Sequence, residues 1–143
     1  MNKPFVLDNS VVMRWCFDDM QNDYAEAVLK LMSNNGNAIV PVLWRYEVTA
    51  VLSKAQKIGS ISEDKVIGFI DDLNAFSITV DYEGIDRIMN DVRLIAVTYG
   101  LTGYDAAYLE LAIRNDLPIA TLDKDLQKAA QMAGVKLLQP FFD

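Results

Sequence analysis

The fold of this chain is decided by residues 5–12, which read FVLDNSVV. Residues 5–7 form a short apolar run that predicts a buried strand of a parallel sheet. Asp8 ends the run, and Ser10 is a candidate N-cap for a helix that continues through Val11 and Val12. A strand that passes directly into a helix is the first half of a crossover connection between parallel strands. The stretch therefore predicts an α/β fold.

The same alternation of short apolar runs and longer amphipathic stretches continues along the chain. Five strands are predicted, at residues 5–7, 38–40, 77–80, 117–122 and 135–138. Strands that alternate with helices pair in parallel and are covered by helices on both faces. We therefore expect an α/β three-layer sandwich with a five-stranded parallel sheet. The length of 143 residues fits a single domain over residues 1–143.

Local capping signals predict several helix boundaries. Pro41 is expected in the first turn of the helix after the second strand. Thr102 and Asp105 have the form of a capping box, in which the threonine hydroxyl and the acid satisfy each other's backbone amides. Apolar residues recurring over residues 85–95 predict another helix, which Gly100 ends.

Two residue types that often carry chemistry are nearly absent. The chain contains no histidine and a single cysteine, Cys16. The lack of histidine excludes Ser-His-Asp and Cys-His triads, His-ligated zinc, and the paired-histidine chemistry of metal-free ribonucleases. One cysteine excludes an intramolecular disulfide framework and cysteine-rich zinc modules. Any chemistry must therefore come from carboxylates, hydroxyls, lysines and arginines.

Acidic residues follow three of the predicted strands. Asp8 comes directly after the first strand, Asp123 comes directly after Leu122, and Glu47 lies two turns into the helix that follows residues 38–40. A fourth acid, Asp105, lies in the first turn of the helix that leads to the strand ending before Asp123. Because sites of parallel α/β sheets form at the carboxyl ends of the strands, we expect these acids to gather at that edge.

Each of these acids also has a purely structural interpretation. Asp8 and Asp123 can cap the helices that follow them, and Asp125 competes with Asp123 for that role. Asp105 can be no more than the acid of its capping box. Glu47 is harder to explain in this way, because it stands in a strongly apolar helix with no partner for a salt bridge four residues away. Such an acid usually has a partner, and a cation is one candidate.

Crowded carboxylates favour a bound cation. They repel one another unless some are protonated or a cation lies between them. Oxygen ligands select hard ions, so Mg²⁺ or Mn²⁺ is expected rather than zinc or copper. These ions bind phosphodiesters and activate water without any histidine. A bound cation also explains how a chain with 20 acidic and 13 basic residues, and a net charge of −7, can attract a phosphate substrate.

Four segments of the chain, in this order, resemble those of PIN domains of the VapC type, the toxins of bacterial and archaeal toxin–antitoxin pairs. The first is residues 6–10 (VLDNS), and the second is the helix that carries Glu47. The third is residues 104–112 (YDAAYLELA), and the fourth is residues 120–126 (ATLDKDL). The resemblance spans essentially the whole chain.

The resemblance implies a site, a cofactor and partners. The family's catalytic and metal-binding acids fall on Asp8, Glu47, Asp105 and Asp123. Ser10 and Thr121 match polar positions that support the site. The match places the family acid at Asp123, and Asp125 is a candidate to share its role. The resemblance further implies Mg²⁺ or Mn²⁺ as cofactor, a homodimer, and a small VapB-like antitoxin whose tail occupies the active-site groove.

The expected activity is metal-dependent endoribonuclease cleavage of RNA. Water activated at the metal attacks the phosphorus and leaves a 5′-phosphate and a 3′-hydroxyl, and the ribose 2′-hydroxyl is not the nucleophile. Of the six tyrosines, only Tyr104, beside Asp105, is singled out as a candidate for function. The others are expected to pack in the protein.

Three alternatives remain. A haloacid dehalogenase-like phosphohydrolase needs a second Asp two positions after Asp8, where this chain has Ser10. A receiver-like signalling domain needs an acidic pair before Asp8, but the residues there are apolar; it also needs a lysine after the last strand, whereas Lys136 lies within the last strand segment. A PIN fold that binds RNA or a partner without cutting is the third alternative, and the presence of all four acids argues against it.

The sequence predicts a cytoplasmic protein. Residues 1–10 reach Asp8 before any long apolar run, which is unlike a signal peptide. No stretch approaches the roughly 18 apolar residues needed to span a bilayer.

Overall fold

A computed structural model of the chain describes residues 3–141. Strands and helices alternate along these residues, as the hydrophobic pattern predicts. The strands are β1 (Phe5–Leu7), β2 (Asn37–Pro41), β3 (Ser77–Asp81) and β4 (Ile119–Ala120). The α-helices are α1 (Asn9–Cys16), α2 (Asp23–Ser33), α3 (Leu43–Lys57), α4 (Glu63–Ala75), α5 (Arg93–Tyr99), α6 (Gly103–Asn115) and α7 (Lys124–Met132).

The four strands form one parallel sheet in the order β3-β2-β1-β4. The central strand β1 pairs on both sides, with Val6 opposite Ile39 of β2 and Ile119 of β4. All three residues of β1 are buried, which is why its sequence is apolar throughout. Helix α6 packs on β1 and β2, and α4 packs on β3. The predicted α/β architecture with a helix-flanked parallel sheet is confirmed.

The prediction of five strands is wrong, since the described residues form four. Residues 135–138 make only an isolated parallel bridge between Leu137 and Ile119, with two backbone hydrogen bonds. The neighbouring strand β4 is two residues long, and two of the amides that follow it bond to side chains. The amide of Leu122 donates to Ser10 Oγ, and the amide of Asp123 donates to Thr121 Oγ1. A strand this short leaves little ladder for a fifth strand to extend.

Two of the predicted helix boundaries are also wrong. Asp8, in extended conformation, is the N-cap residue of α1, and Ser10 lies inside the helix. Pro41 ends β2 opposite Asp81 instead of opening α3. The threonine half of the predicted capping box is confirmed, because Thr102 Oγ1 accepts from the amide of Asp105.

The helix predicted over residues 85–95 is divided into three pieces. A 3-10 helix, Glu83–Arg87, passes into a π-helical turn, Ile88–Val92, and then into α5, which Gly100 ends with a φ of +67°. Of these pieces only Val92 is buried, so most of the apolar pattern faces solvent. No helix within residues 3–141 is both long and apolar enough to cross a lipid bilayer.

Candidate active site

Asp8 occupies the carboxyl end of the central strand. Its amide donates to the carbonyl of Ala120 in β4, and its carbonyl accepts from the amide of Val11 in α1. The side chain is 5% exposed. A buried carboxylate at this point requires polar partners.

Two hydroxyl groups supply those partners. Ser10 Oγ donates to Asp8 Oδ2 over 2.6 Å, and Thr121 Oγ1 donates to the same oxygen over 2.7 Å. Ser10 also accepts from the amide of Leu122, and Thr121 accepts from the amide of Asp123. Both hydroxyls therefore fasten the end of β1 to the turn after β4.

Asp123 begins helix α7. Its Oδ1 accepts from the amide of Leu126 over 3.0 Å, so the predicted capping role is real. Asp125, two residues on, is exposed. Asp123 is the acid that lies beside the Asp8 network, because its backbone amide is part of that network.

Glu47 reaches the site from helix α3. Its Oε1 accepts a hydrogen bond of 2.5 Å from the hydroxyl of Tyr108 in α6, 61 residues away. Glu47 is half-buried, whereas Tyr108 is fully buried. The sequence predicts that Glu47 has a partner, and one partner is Tyr108, which the sequence analysis did not identify. The signal that could have found Tyr108 is its position three residues after Asp105, on the same face of one helix.

Asp105 stands in the first turn of α6 and is half-buried. Its amide is held by Thr102, while its carboxylate makes no hydrogen bond within residues 3–141, so the capping box is only half formed. This carboxylate is free to serve another ligand.

The acids repel one another. Burial raises the pKa of Asp105 to about 6, with further increases from the charges of Asp123, Asp8 and Asp125. Burial also raises the pKa of Glu47, with the hydrogen bond from Tyr108 opposing the shift and the charges of Asp8 and Asp105 adding to it. These mutual effects place the acids in one electrostatic cluster.

The pKa of Asp8 is raised as well. Burial is the main cause, and the charge of Asp123 adds to it. The hydrogen bonds from Ser10 and Thr121 act in the opposite direction, because they stabilise the charged form. The hydroxyl groups thus limit the cost of keeping Asp8 ionised.

The donor set of the cluster fits a hard divalent cation. The cluster comprises Asp8, Glu47, Asp105 and Asp123. None of these acids forms an ion pair with any lysine or arginine of residues 3–141. Every atom that they offer to a metal ion is a carboxylate oxygen. Over the same residues, no three acidic or cysteine side chains form a ready-made ligand set for a metal ion.

Residues 5–132 match the PIN domain family, and the chain belongs to this family. Over 81 residues the chain is 31% identical to Ribonuclease VapC3 of Pyrobaculum aerophilum. The matched stretch covers 57% of this chain and 62% of that protein. The matched part is thus less than two thirds of the relative's length.

Solved structures share the fold. VapBC2 from Rickettsia felis, crystallised bound to a DNA fragment from their promoter, matches with a TM-score of 0.67 and 14% identity, covering 95% of this chain and 98% of that chain. FitAcB from Neisseria gonorrhoeae matches with a TM-score of 0.58 and 19% identity, covering 95% of this chain and 97% of that chain.

Proposed function

We propose that this chain is a metal-dependent endoribonuclease that acts as the VapC-type toxin of a toxin–antitoxin pair. The proposal is carried by one observation, the cluster of four mutually repelling acids at the carboxyl edge of the sheet, Asp8, Glu47, Asp105 and Asp123. Membership of the PIN domain family and the partial identity to a ribonuclease support this function over a dehalogenase-like phosphohydrolase.

The proposed cofactor is Mg²⁺ or Mn²⁺. Its ligands are Asp8, Asp105 and Asp123, with Glu47 contributing directly or through water. When bound, the ion supplies charge to hold the phosphodiester, to activate a water molecule and to stabilise the departing alkoxide. The four acids would hold the ion at the carboxyl edge of the sheet.

Ser10 and Thr121 are proposed to hold Asp8 ready for the ion. Both hydroxyls donate to Oδ2. No other side chain in the described part of the protein donates to the remaining oxygen, Oδ1. Hydrogen bonds of this kind around a metal ligand fix its orientation.

Hydrolysis is proposed to use water as the nucleophile. A bond forms between the water oxygen and phosphorus, and the bond from phosphorus to the ribose 3′-oxygen breaks. The products carry a 5′-phosphate and a 3′-hydroxyl. The paired-histidine route, in which the ribose 2′-hydroxyl is the nucleophile, is not open to this chain, because it contains no histidine.

The proposed protein partners are an antitoxin and a second copy of the chain. The similar structures are named as VapBC2 and FitAcB, which supports a VapB-like antitoxin whose tail reaches the acidic groove. A homodimer is supported by an apolar face in the part of the chain from residue 85 to residue 97. Its exposed members are Ile85, Ile88, Met89, Leu94 and Val97. An adjoining cavity of about 540 Å³ is lined mainly by apolar residues, among them Ile88, Val97 and Tyr104.

An RNA cleavage assay tests the activity. Wild-type protein and Asp8→Asn are incubated with total bacterial RNA in Mg²⁺, in Mn²⁺ and in EDTA, and the product ends are mapped. We expect the wild type to cleave RNA in Mg²⁺ or Mn²⁺ but not in EDTA. The cleavage rate of Asp8→Asn should be at least about a hundredfold lower, because the variant loses a charged metal ligand and each 1.4 kcal/mol of transition-state stabilisation is worth tenfold.

Two outcomes would contradict the mechanism: cutting that persists in EDTA, and products with 2′,3′-cyclic phosphate ends. RNA binding by the wild type without cleavage in either metal would favour the alternative of a non-catalytic PIN module. Circular dichroism of Asp8→Asn confirms that any loss of activity is not a loss of fold.

A further inference from the structure

The contact between Tyr108 and Glu47 joins the two helices that flank the acid cluster. The hydroxyl of Tyr108 donates to Glu47 Oε1 over 2.5 Å. Tyr108 is 0% exposed, so its ring is fixed by the core around it. Glu47 has no other hydrogen-bond donor within residues 3–141, and its long side chain is otherwise held only by packing.

A buried hydroxyl needs a hydrogen-bond acceptor, but this need alone does not explain why Tyr108 bonds to Glu47. A neutral backbone carbonyl would satisfy that need, and Tyr24 uses one, donating to the carbonyl of Leu138 over 2.8 Å. Tyr108 instead donates to a carboxylate that is repelled by Asp8 and Asp105. A hydrogen bond to a charged acceptor is shorter and stronger than one to a neutral acceptor. Tyr108 therefore stabilises Glu47 as a charged group in one position.

The placement of Tyr108 on α6 links Glu47 to the rest of the cluster. Tyr108 and Asp105 are three residues apart and share a face of the helix. Helix α6 thus contributes Asp105 from its own first turn and fixes Glu47 of α3 one turn later. Any shift of α6 would move both acids together.

We propose that Tyr108 is a positioning residue of the metal centre, holding the Glu47 carboxylate where it acts on the ion. This inference rests on the proposed function. Hydrogen-bond partners that orient a metal ligand typically change metal affinity by about tenfold to a hundredfold when they are removed. The same size of effect is expected here.

Mn²⁺ binding to the metal-free protein, without RNA, tests this role. The protein is stripped with EDTA, desalted and titrated with Mn²⁺, and free Mn²⁺ is followed by electron paramagnetic resonance. Tyr108→Phe removes one oxygen, and Tyr24→Phe is the matched control that removes a tyrosine hydroxyl bonded elsewhere. We expect Tyr108→Phe to weaken Mn²⁺ binding by roughly tenfold to a hundredfold, and Tyr24→Phe to leave it unchanged.

A double-mutant cycle separates positioning from general loosening of the fold. If Tyr108 acts through Glu47, Tyr108→Phe has no further effect on Mn²⁺ affinity once Glu47→Gln is present. Additive losses in the double variant would overturn the proposal, as would a Tyr108→Phe variant that binds Mn²⁺ like the wild type. Thermal unfolding in EDTA checks that both tyrosine variants are folded. Failure of the wild type to bind Mn²⁺ would refute the proposed metal centre itself, which is a distinct result.

Discussion

Thr121 Oγ1 lies 2.7 Å from Asp8 Oδ2, in a hydrogen bond that spans 113 residues of sequence. The same hydroxyl accepts from the amide of Asp123 over 3.0 Å. One threonine thus holds the acid at the end of β1 and the backbone of the acid after β4. The bond also favours the charged form of Asp8 against the burial that raises its pKa.

Replacing Thr121 with valine is therefore expected to lower both stability and activity. Valine keeps the shape of the side chain but leaves a buried carboxylate with one hydroxyl donor instead of two. We expect a loss of about 1–3 kcal/mol in the free energy of unfolding, measured by urea denaturation. RNA cleavage should fall by roughly tenfold to a hundredfold, because an orienting partner of a metal ligand is lost.

The exposed residue Thr98 provides a matched control. Among the residues that the structure describes, its hydroxyl donates only to the carbonyl of Leu94, within its own helix. Thr98→Val should change the free energy of unfolding by less than about 0.5 kcal/mol. Equal effects of the two valine substitutions would show that the hydroxyl of Thr121 has no special role.

The raised pKa of Asp105 predicts how stability depends on pH in the absence of metal. This carboxyl group titrates at about 6 in the folded protein against an ordinary value of 3.8. Between these values the folded protein holds more protons than the unfolded chain. The free energy of unfolding should therefore fall as the pH rises from about 4 to about 6, and stay lowered above that.

Asp105→Asn isolates this effect. The variant lacks the titrating group, so in EDTA it should gain stability relative to the wild type as the pH rises through the same window, as measured by urea denaturation at several pH values. Added Mn²⁺ should restore the wild type but not the variant, since a bound ion stabilises only the folded state that holds it. A wild type that gains stability over the variant across this window would contradict the assigned environment of Asp105.

Local pattern and tertiary contact account for what the sequence could and could not predict. The apolar run before Asp8 predicts a buried strand ending in an acid, and this part is confirmed. Ser10 was misassigned as a cap, because a serine just after a strand has the local features of a cap. Its actual partners include the amide of Leu122, 112 residues away. No local pattern contains such a contact.

The same limit applies to Tyr108. A tyrosine between Ala107 and Leu109 on the inner face of α6 is typical of a packing residue, and the ring does pack. Only the crossing of α3 and α6 shows that its hydroxyl reaches Glu47. Tyr104, which the sequence singles out by its place beside Asp105, is 66% exposed. The prediction of a fifth strand is wrong for a related reason. A strand at the edge of a sheet needs a neighbouring strand that stays extended, and β4 is two residues long.

The apolar face at residues 85–97 predicts dimerisation through this part of the chain. Met89 is 82% exposed and Val97 is 75% exposed, although both are apolar. We expect the wild type to be a dimer at micromolar concentration, and the double variant Met89→Asp with Val97→Asp to weaken the dimer at least about tenfold, because two buried charges would have no partner. Analytical ultracentrifugation measures both.

Ile58 serves as the control for this face. It is 73% exposed at the end of α3, outside the face. Ile58→Asp should leave the dimer intact. A monomeric wild type would contradict the proposed homodimer, and dissociation by Ile58→Asp alone would assign the interface to another surface.

Arg114 holds two buried acids from different elements, and its loss should be costly. The guanidinium donates to Glu110 on its own helix, α6, and to Asp81 at the end of β3. The side chains of both acids are less than 8% exposed. Arg114→Met would leave the two acids buried without a cation, and removal of one partner from a buried ion pair costs about 3–5 kcal/mol.

Urea denaturation of Arg114→Met measures this loss against Arg87→Met. Arg87 pairs with Asp91 on the surface, where both side chains are about half exposed, so its loss should cost no more than about 1 kcal/mol. Adding Asp81→Asn and Glu110→Gln to Arg114→Met should recover part of the stability, because no unpaired charge then remains buried. If the triple variant is as unstable as Arg114→Met, the cost comes from lost packing of the arginine side chain and not from the stranded charges.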